Sequence, residues 1–177
     1  MNSKTLILLC GVALLAACKQ QPQADQAKSV TPSAETRIAA AAAPLSHDQA
    51  VAVMKERHEG MEKIGKATKV AGQQLKLSSP DMNAIRKSAA TMAELASKVQ
   101  SWFPEGTGPD VGKTRAKAEI WQKPEDFALK AHDFKTAAQQ FDAAAKRGDL
   151  TEVNGAFAAT GKTCKACHDL YRAPEKH

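Results

Sequence analysis

Five consecutive residues near the end of the chain constrain its fold more than any other feature. They are Cys164, Lys165, Ala166, Cys167 and His168, which form the pattern C-x-x-C-H. In a helix, residues three and four apart share a face, so both thiols and the imidazole project from the same side. The pattern is the attachment signature of c-type haem, whose porphyrin edge bonds to the thiols and whose iron binds the imidazole. We therefore expect one haem c, covalent through Cys164 and Cys167, with His168 as an iron ligand.

Two other uses of a C-x-x-C pair fit this chain poorly. A zinc half-site needs a second Cys/His pair, and no other segment of the sequence offers one. A thiol redox pair usually lies in a βαβ unit, whereas strand signals are nearly absent here. The other two cysteines, Cys10 and Cys18, lie within and at the end of the N-terminal apolar stretch, so no pair remains for a structural disulfide.

Four segments carry apolar residues at helical spacing, and each follows a signal for a helix start. The signals are Ser46 with Gln49, Ser79 as a cap before Pro80 and Asp81, Pro124 as a first residue, and Asp149 with Glu152. The second stripe continues to Phe103, and prolines and glycines prevent residues 102–123 from forming one helix. We predict an all-α, antiparallel four-helix bundle over residues 46–177, with covalent haem c on its C-terminal helix.

The N-terminus is typical of an export signal. Residues 1–17 have a basic start at Lys4, an apolar run and small residues before Cys18. The stretch from Leu15 to Cys18 is similar to the lipobox of bacterial lipoproteins, which predicts that Cys18 is lipidated. Residues 18–45, rich in Gln, Ala, Ser and Pro, predict a flexible tether. We expect a lipid-anchored protein on the periplasmic side of a bacterial membrane; ordinary cleavage, leaving a soluble periplasmic protein, is the alternative.

The charge balance narrows the choice of partners. The formal net charge is +6, but no long basic run with interleaved aromatic residues appears, so we expect no nucleic-acid partner. Lys162, Lys165 and Lys176 are placed to surround the haem edge and attract an acidic redox partner, although such lysines more often form a solvated face. We expect a carrier of electrons or ligands and not an enzyme.

Several segments together resemble the class II c-type cytochromes, the cytochrome c′ family. They are Phe103 to Thr107, Ile120 with Trp121, the helix that holds Phe127, and Cys164 to Arg172. The resemblance covers residues 46–173 and implies the bundle fold. It also implies that Arg57 lies near the haem propionates, that Met61 faces the distal side of the iron, and that Arg172 lies beside the iron-bound His168. His58 stands where the family commonly has Gln, and we interpret it as a surface histidine.

The resemblance leaves two functions open, and Met61 separates them. If Met61 is the sixth ligand, His and Met fill both axial positions and the protein carries single electrons through a low-spin haem. If Met61 only packs, the iron stays five-coordinate and binds nitric oxide or carbon monoxide. Methionines on such stripes are by default core residues, but the offset from Arg57 matches the family, so we expect the electron carrier. Members of the family often form homodimers through the first two helices, so a homodimer is also an expectation.

Overall fold

The structure, a computed structural model, describes residues 44–174 of the chain. Its helices are α1 (His47–Gln74), α2 (Met82–Ala96), α3 (Glu119–Gln122), α4 (Pro124–Arg147) and α5 (Leu150–Tyr171), with a 3₁₀ turn at Gln100–Trp102. The described residues contain no β-strand, so the all-α prediction is confirmed. The predicted signal, Cys18, nearly all of the tether and Lys176 lie outside the described residues. None of the described helices is both long and apolar enough to cross a bilayer.

Three of the four predicted helix starts are confirmed by the capping groups. At α1, Ser46 Oγ accepts from the Gln49 amide at 3.3 Å while Gln49 Oε1 accepts from the Ser46 amide at 2.8 Å. Pro124 is the first residue of α4, where its missing amide proton costs nothing. At α5, Asp149 Oδ1 accepts from the Glu152 amide at 2.9 Å. The side-chain caps of α1 and α5 each satisfy an amide that has no partner within the first turn, whereas α4 begins at its proline without a side-chain cap.

The second helix differs from its prediction at both ends. Its cap is Asp81 and not Ser79, because Asp81 Oδ1 accepts from the amides of Asn83 at 2.8 Å and Ala84 at 3.3 Å. The helix ends at Ala96, after which amides bond three residues back instead of four. Phe103 therefore follows α2 instead of continuing its stripe. This tightening redirects the chain into the crossing that precedes α4.

The bundle is built from successive antiparallel neighbours. Helix α1 packs along α2, α2 along α4, and α4 along α5; within residues 44–174, α1 and α5 are not a closely packed pair. The largest fully buried side chains include Phe141, Ile85, Met92 and Val153. Thr160 Oγ1 donates to the Ala137 carbonyl at 3.2 Å and so ties α5 to α4. The four long helices confirm the predicted four-helix bundle.

Residues 103–118, which we call the strap, connect the 3₁₀ turn to α3. The strap lies against the first helix, α1, and against the residues that follow the last helix, α5. At α1, Gly112 lies so close that an added Cβ would be 3.3 Å from Met54 Cε. Beyond α5, the Ala173 amide donates to the Arg115 carbonyl at 2.8 Å, and Ala116 forms a β-bridge with Arg172. The strap therefore contacts α1 and the end of α5.

Candidate haem site

The C-x-x-C-H motif lies in the last third of α5, a continuous helix. Cys164 and Cys167 are half-buried and pack against the hydrophobic core, as a shared inward face requires. His168, one residue further round the helix, is exposed, whereas the sequence placed it on the inward stripe. A helix turns by about 100° per residue, so His168 lies about 40° from Cys164 and about 100° from Cys167, at the outer edge of the face that the two thiols share.

The two thiols are unbridged and neutral. Burial raises the pKa of Cys164, and burial followed by the charge of Cys164 raises the pKa of Cys167 to about 11. Reactive redox cysteines need the opposite, a lowered pKa near a helix N-terminus or a cation. Within residues 44–174, no three His, Cys, Asp or Glu side chains form a group that could hold a metal ion. The site therefore fits neither a redox pair nor zinc.

His168 is a neutral imidazole, the form that can donate a nitrogen lone pair to a metal. Although His168 is exposed overall, neighbouring side chains remove part of its ring from water, and this desolvation, followed by the positive charges of Arg172 and Arg115, lowers the pKa of His168, so the imidazole is neutral at pH 7. Arg172 Nη1 lies 3.3 Å from His168 Nδ1. Because arginine only donates, this contact requires the tautomer with its proton on Nε2. A metal held at Nε2 would require the other tautomer, with the proton on Nδ1, and Arg172 would then have no acceptor on this ring.

The surface beside His168 is a shallow cavity of about 280 Å³. It is lined by Arg115, His168, Asp169, Arg172, Ala173 and Pro174. Asp169 Oδ2 is already paired with Lys165 Nζ at 2.6 Å. The predicted proximal arginine is thus next to the motif, on the side away from the core. Sequence reasoning missed Arg115, which comes from the strap and reaches this cavity only through the tertiary fold.

Met61 lies on α1, is half-buried and packs against the same core as the two thiols. Its neighbour Gly60 lies beneath Trp102, since an added Cβ would be 2.3 Å from Trp102 Cη2. Trp102 Nε1 also donates to Glu56 Oε1 at 3.2 Å. One turn of α1 next to Met61 is therefore held by the indole. Met61 as an iron ligand stays a prediction.

Arg57 is 4% exposed and binds the strap. Its Nη1 donates to the Trp102 carbonyl at 3.3 Å and to the Thr107 carbonyl at 3.2 Å, and its Nη2 donates to Thr114 Oγ1 at 3.2 Å. The guanidinium carbon lies 4.7 Å from the centre of the Phe103 ring, a cation–π contact. Burial lowers the pKa of Arg57. These acceptors are neutral, and the propionate contact implied by the resemblance stays a prediction.

Asp126 is a second residue that sequence reasoning missed. The Tyr171 hydroxyl donates to Asp126 Oδ2 at 2.5 Å, and the Tyr171 ring packs edge-on against Phe127 with centroids 5.5 Å apart. Tyr171 lies one turn beyond the haem motif and is buried. The pair therefore fixes the end of α5 against the start of α4. The predicted surface histidine, His58, is indeed exposed and lies near Glu62.

The residues present fit haem c. Two unbridged thiols three residues apart, followed by a neutral imidazole, are the donors that this cofactor requires. The thiols rest on an apolar core formed in part by Phe127, Phe134 and Phe141, which suits a porphyrin face. On these grounds the α5 motif has the donors and the apolar support that haem c needs, and attachment at Cys164 and Cys167 stays a prediction.

Comparisons with known proteins agree with this geometry. A model of the family described as Cytochrome C′ matches residues 52–172. Among curated proteins, cytochrome c′ from Rhodospirillum rubrum is 31% identical over 138 residues, which cover 78% of this chain and 89% of that protein.

Solved structures of similar fold include three cytochromes c′. The protein from Thermochromatium tepidum has a TM-score of 0.66 and 32% identity, covering 73% of this chain and 98% of that one. A cytochrome c′ with ligand-controlled dimer dissociation has a TM-score of 0.66 and 29% identity, covering 75% and 100%. A ferrous variant from Alcaligenes xylosoxidans with bound NO has a TM-score of 0.64 and 26% identity, covering 75% and 99%.

Proposed function

The chain belongs to the cytochrome c′ family, whose members carry covalent haem c, and we propose that it binds nitric oxide or carbon monoxide at the iron face opposite His168. One observation carries this proposal: the similar ferrous protein from Alcaligenes xylosoxidans has bound NO. The proposal makes the protein a ligand-binding carrier and not an enzyme. It favours the second of the two functions expected from the sequence over the electron carrier.

Each residue of this site has a separate role in holding the cofactor and controlling access to it. Cys164 and Cys167 hold the cofactor by its edge, and His168, neutral because its pKa is lowered, supplies the lone pair. Bound haem supplies an iron whose remaining axial position accepts a diatomic ligand. Met61, half-buried against the core, presents an apolar side chain that excludes water and anions from that position. Arg57 and Arg172 then provide positive charge for the propionates and beside the imidazole, respectively.

Electron transfer is the second candidate, and the position of Met61 favours it. Met61 and the thiols pack against one core from two helices, so a thioether could bind the iron opposite His168. Such His/Met ligation leaves no site for a gas and raises the reduction potential. Lys162 and Lys165, exposed near the thiols, would then attract an acidic redox partner.

Absorption spectra of the full-length holoprotein separate the two candidates. We expect a high-spin oxidised spectrum without the far-red sulfur-to-iron band, and a shifted Soret band when carbon monoxide is added to the reduced protein. Met61→Leu, which keeps the volume but removes the sulfur, should leave both spectra unchanged. An oxidised wild type that is low-spin, and a Met61→Leu variant that turns high-spin and gains carbon monoxide binding, would establish the electron carrier instead.

Location and assembly are part of the same proposal. A lipidated Cys18 would keep the protein on the periplasmic side of the membrane, and Cys18→Ser should then leave the membrane fraction. A wild type that is already soluble would favour ordinary cleavage.

A homodimer is also proposed, since a similar cytochrome c′ has a dimer controlled by its ligand. Sedimentation of the reduced protein with and without carbon monoxide tests this assembly.

A further inference from the structure

The strap joins the two helices that carry the proposed iron-facing residues. Met61 lies on α1 and His168 on α5, and within residues 44–174 the backbones of these two helices approach each other little, although the Phe157 ring of α5 lies against Gly72 of α1. The strap contacts α1 at its buried face and the chain directly after α5. A structural link between the two sides of the haem site therefore runs through the strap.

On the α1 side, the link begins at Arg57. Its guanidinium reaches the strap at Thr107 and at Thr114, and the Nη2 atom lies 3.2 Å from both the Thr107 carbonyl and Thr114 Oγ1. Arg57 is four residues before Met61 and therefore shares its side of the helix. A hydrogen bond from a charged donor is stronger than one between neutral groups. Movement of the strap at Thr114 would therefore pull on Arg57 and shift the helix turn that carries Met61.

On the α5 side, the same hydroxyl begins the next contact. Thr114 Oγ1 also accepts from the Ala116 amide at 3.1 Å, and Ala116 forms the β-bridge with Arg172. The Lys117 amide donates to the Tyr171 carbonyl at 3.0 Å. Lys117 Nζ donates to the Leu170 carbonyl at 2.7 Å. These bonds hold the backbone that immediately follows His168.

We propose that Thr114 is a positioning residue that sets the place of Met61 relative to His168. Its single oxygen accepts from Arg57 of α1 and from Ala116, which is paired with the chain after α5. The inference rests on the proposed function, because it assigns to Thr114 the control of access to the iron face that Met61 covers. Loss of the hydroxyl removes one of several bonds between Arg57 and the strap, since the bonds to Thr107 remain, and lets α1 shift relative to α5 so that this face is less covered.

The test compares Thr114→Val with Thr114→Ser in the full-length holoprotein. Valine keeps the shape but accepts no hydrogen bond, whereas serine keeps the oxygen. Thr114→Val should speed carbon monoxide association to the reduced protein by about tenfold, the factor expected for loss of one hydrogen bond from a charged donor. Thr114→Ser should match wild type. Thr68→Val, which removes another half-buried hydroxyl hydrogen bond on α1 remote from the strap, is the control and should also match wild type.

Two further measurements make the result decisive. Hydrogen exchange at the Lys117 and Ala173 amides should accelerate in Thr114→Val and stay slow in Thr68→Val, because only the former weakens the strap. Arg57→Lys loses the forked donor, so its effect and that of Thr114→Val should not add in the double variant. If Thr114→Val does not fold, Arg57→Lys provides the test with the same expected changes.

Failure of the inference differs from failure of the proposed function. If wild type binds no carbon monoxide and is low-spin, the gas-binding proposal is wrong, and Thr114→Val should then raise the high-spin fraction of the oxidised protein by loosening Met61. Equal amide exchange in Thr114→Val and Thr68→Val would overturn the role of Thr114, as would equal carbon monoxide association rates in a gas-binding protein or equal high-spin fractions in a low-spin one.

Discussion

Helices α4 and α5 have similar lengths, 24 and 22 residues, but the protein buries them to different extents. Helix α4 buries eight residues, among them Phe134 and Phe141, whereas α5 buries only Val153, Thr160 and Tyr171. The inward side of α5 near the haem motif consists of half-buried thiols. Side-chain packing therefore holds α4 in the bundle more firmly than α5, and the proposed bonds from Cys164 and Cys167 to haem would add to the hold on α5.

The largest effect should come from the thiols of α5. Replacing Cys164 and Cys167 with alanine removes both bonds to the porphyrin, so we expect covalent haem to be lost completely. Haem staining of a denaturing gel measures this directly. Lys165→Ala, between the two cysteines and exposed, is the matched control and should retain the stain. Wild type that loses haem on acid-acetone extraction would contradict covalent attachment.

The packing difference itself can be measured at two phenylalanines whose ring centroids lie 5.3 Å apart, one on each helix. Phe141 on α4 is fully buried, so Phe141→Ala should lower the free energy of unfolding by about 3–5 kcal/mol. Phe157 on α5 is half-buried, and Phe157→Ala should cost about half as much because less area leaves water. Urea unfolding of the holoprotein measures both values. Equal losses of unfolding free energy in the two variants would show that side-chain packing holds both helices to the same extent.

Two glycines of α1 should respond oppositely to the same substitution. Gly60→Ala places a Cβ 2.3 Å from Trp102 Cη2, and this overpacking should cost about 1–3 kcal/mol. Gly65→Ala meets nothing within 4 Å and should stabilise the helix by up to about 1 kcal/mol, since alanine is the better helix former. Thermal unfolding measures both. A neutral Gly60→Ala would mean that Trp102 does not hold the turn beside Met61.

The smallest effect concerns the end of α5 and appears only at alkaline pH. Burial, the hydrogen bond to Asp126 and its charge raise the pKa of Tyr171 from 10.0 to about 12. A folded-state pKa above the unfolded value means that this stabilisation is complete below pH 10 and is lost as pH rises from 10 to about 12.

The chain has a single tyrosine, so ultraviolet absorbance reports its ionisation without overlap from another. Asp126→Asn should move the Tyr171 transition to lower pH, because it removes the negative charge beside the phenol. The matched control is Asp133→Asn, an exposed carboxylate on the same helix, which should leave the transition in place. Titration of wild-type Tyr171 near pH 10 would show that its contact with Asp126 is absent in solution.

Local structure and the type of cofactor could be predicted from the order of the amino acids alone. The helix starts marked by Ser46, Pro124 and Asp149 were predictable because a start signal depends on atoms within four residues. The C-x-x-C-H pattern was recognisable for the same reason, since its five residues lie on little more than one helical turn. The start of α2 was wrong by two residues, because Ser79 and Asp81 both can cap and only the path of the preceding turn selects between them.

The surroundings of the motif depend on tertiary packing. Arg57 and Thr114 are separated by 57 residues, and Tyr171 and Asp126 by 45. No periodic pattern connects residues so distant, because such contacts depend on how the strap and the helix ends pack in three dimensions. Knowing that residue 61 is a methionine likewise leaves the role of Met61 open, because iron ligation depends on how closely α1 approaches α5. That separation is a property of the packed bundle and of the strap that spans it, and no single residue type encodes it.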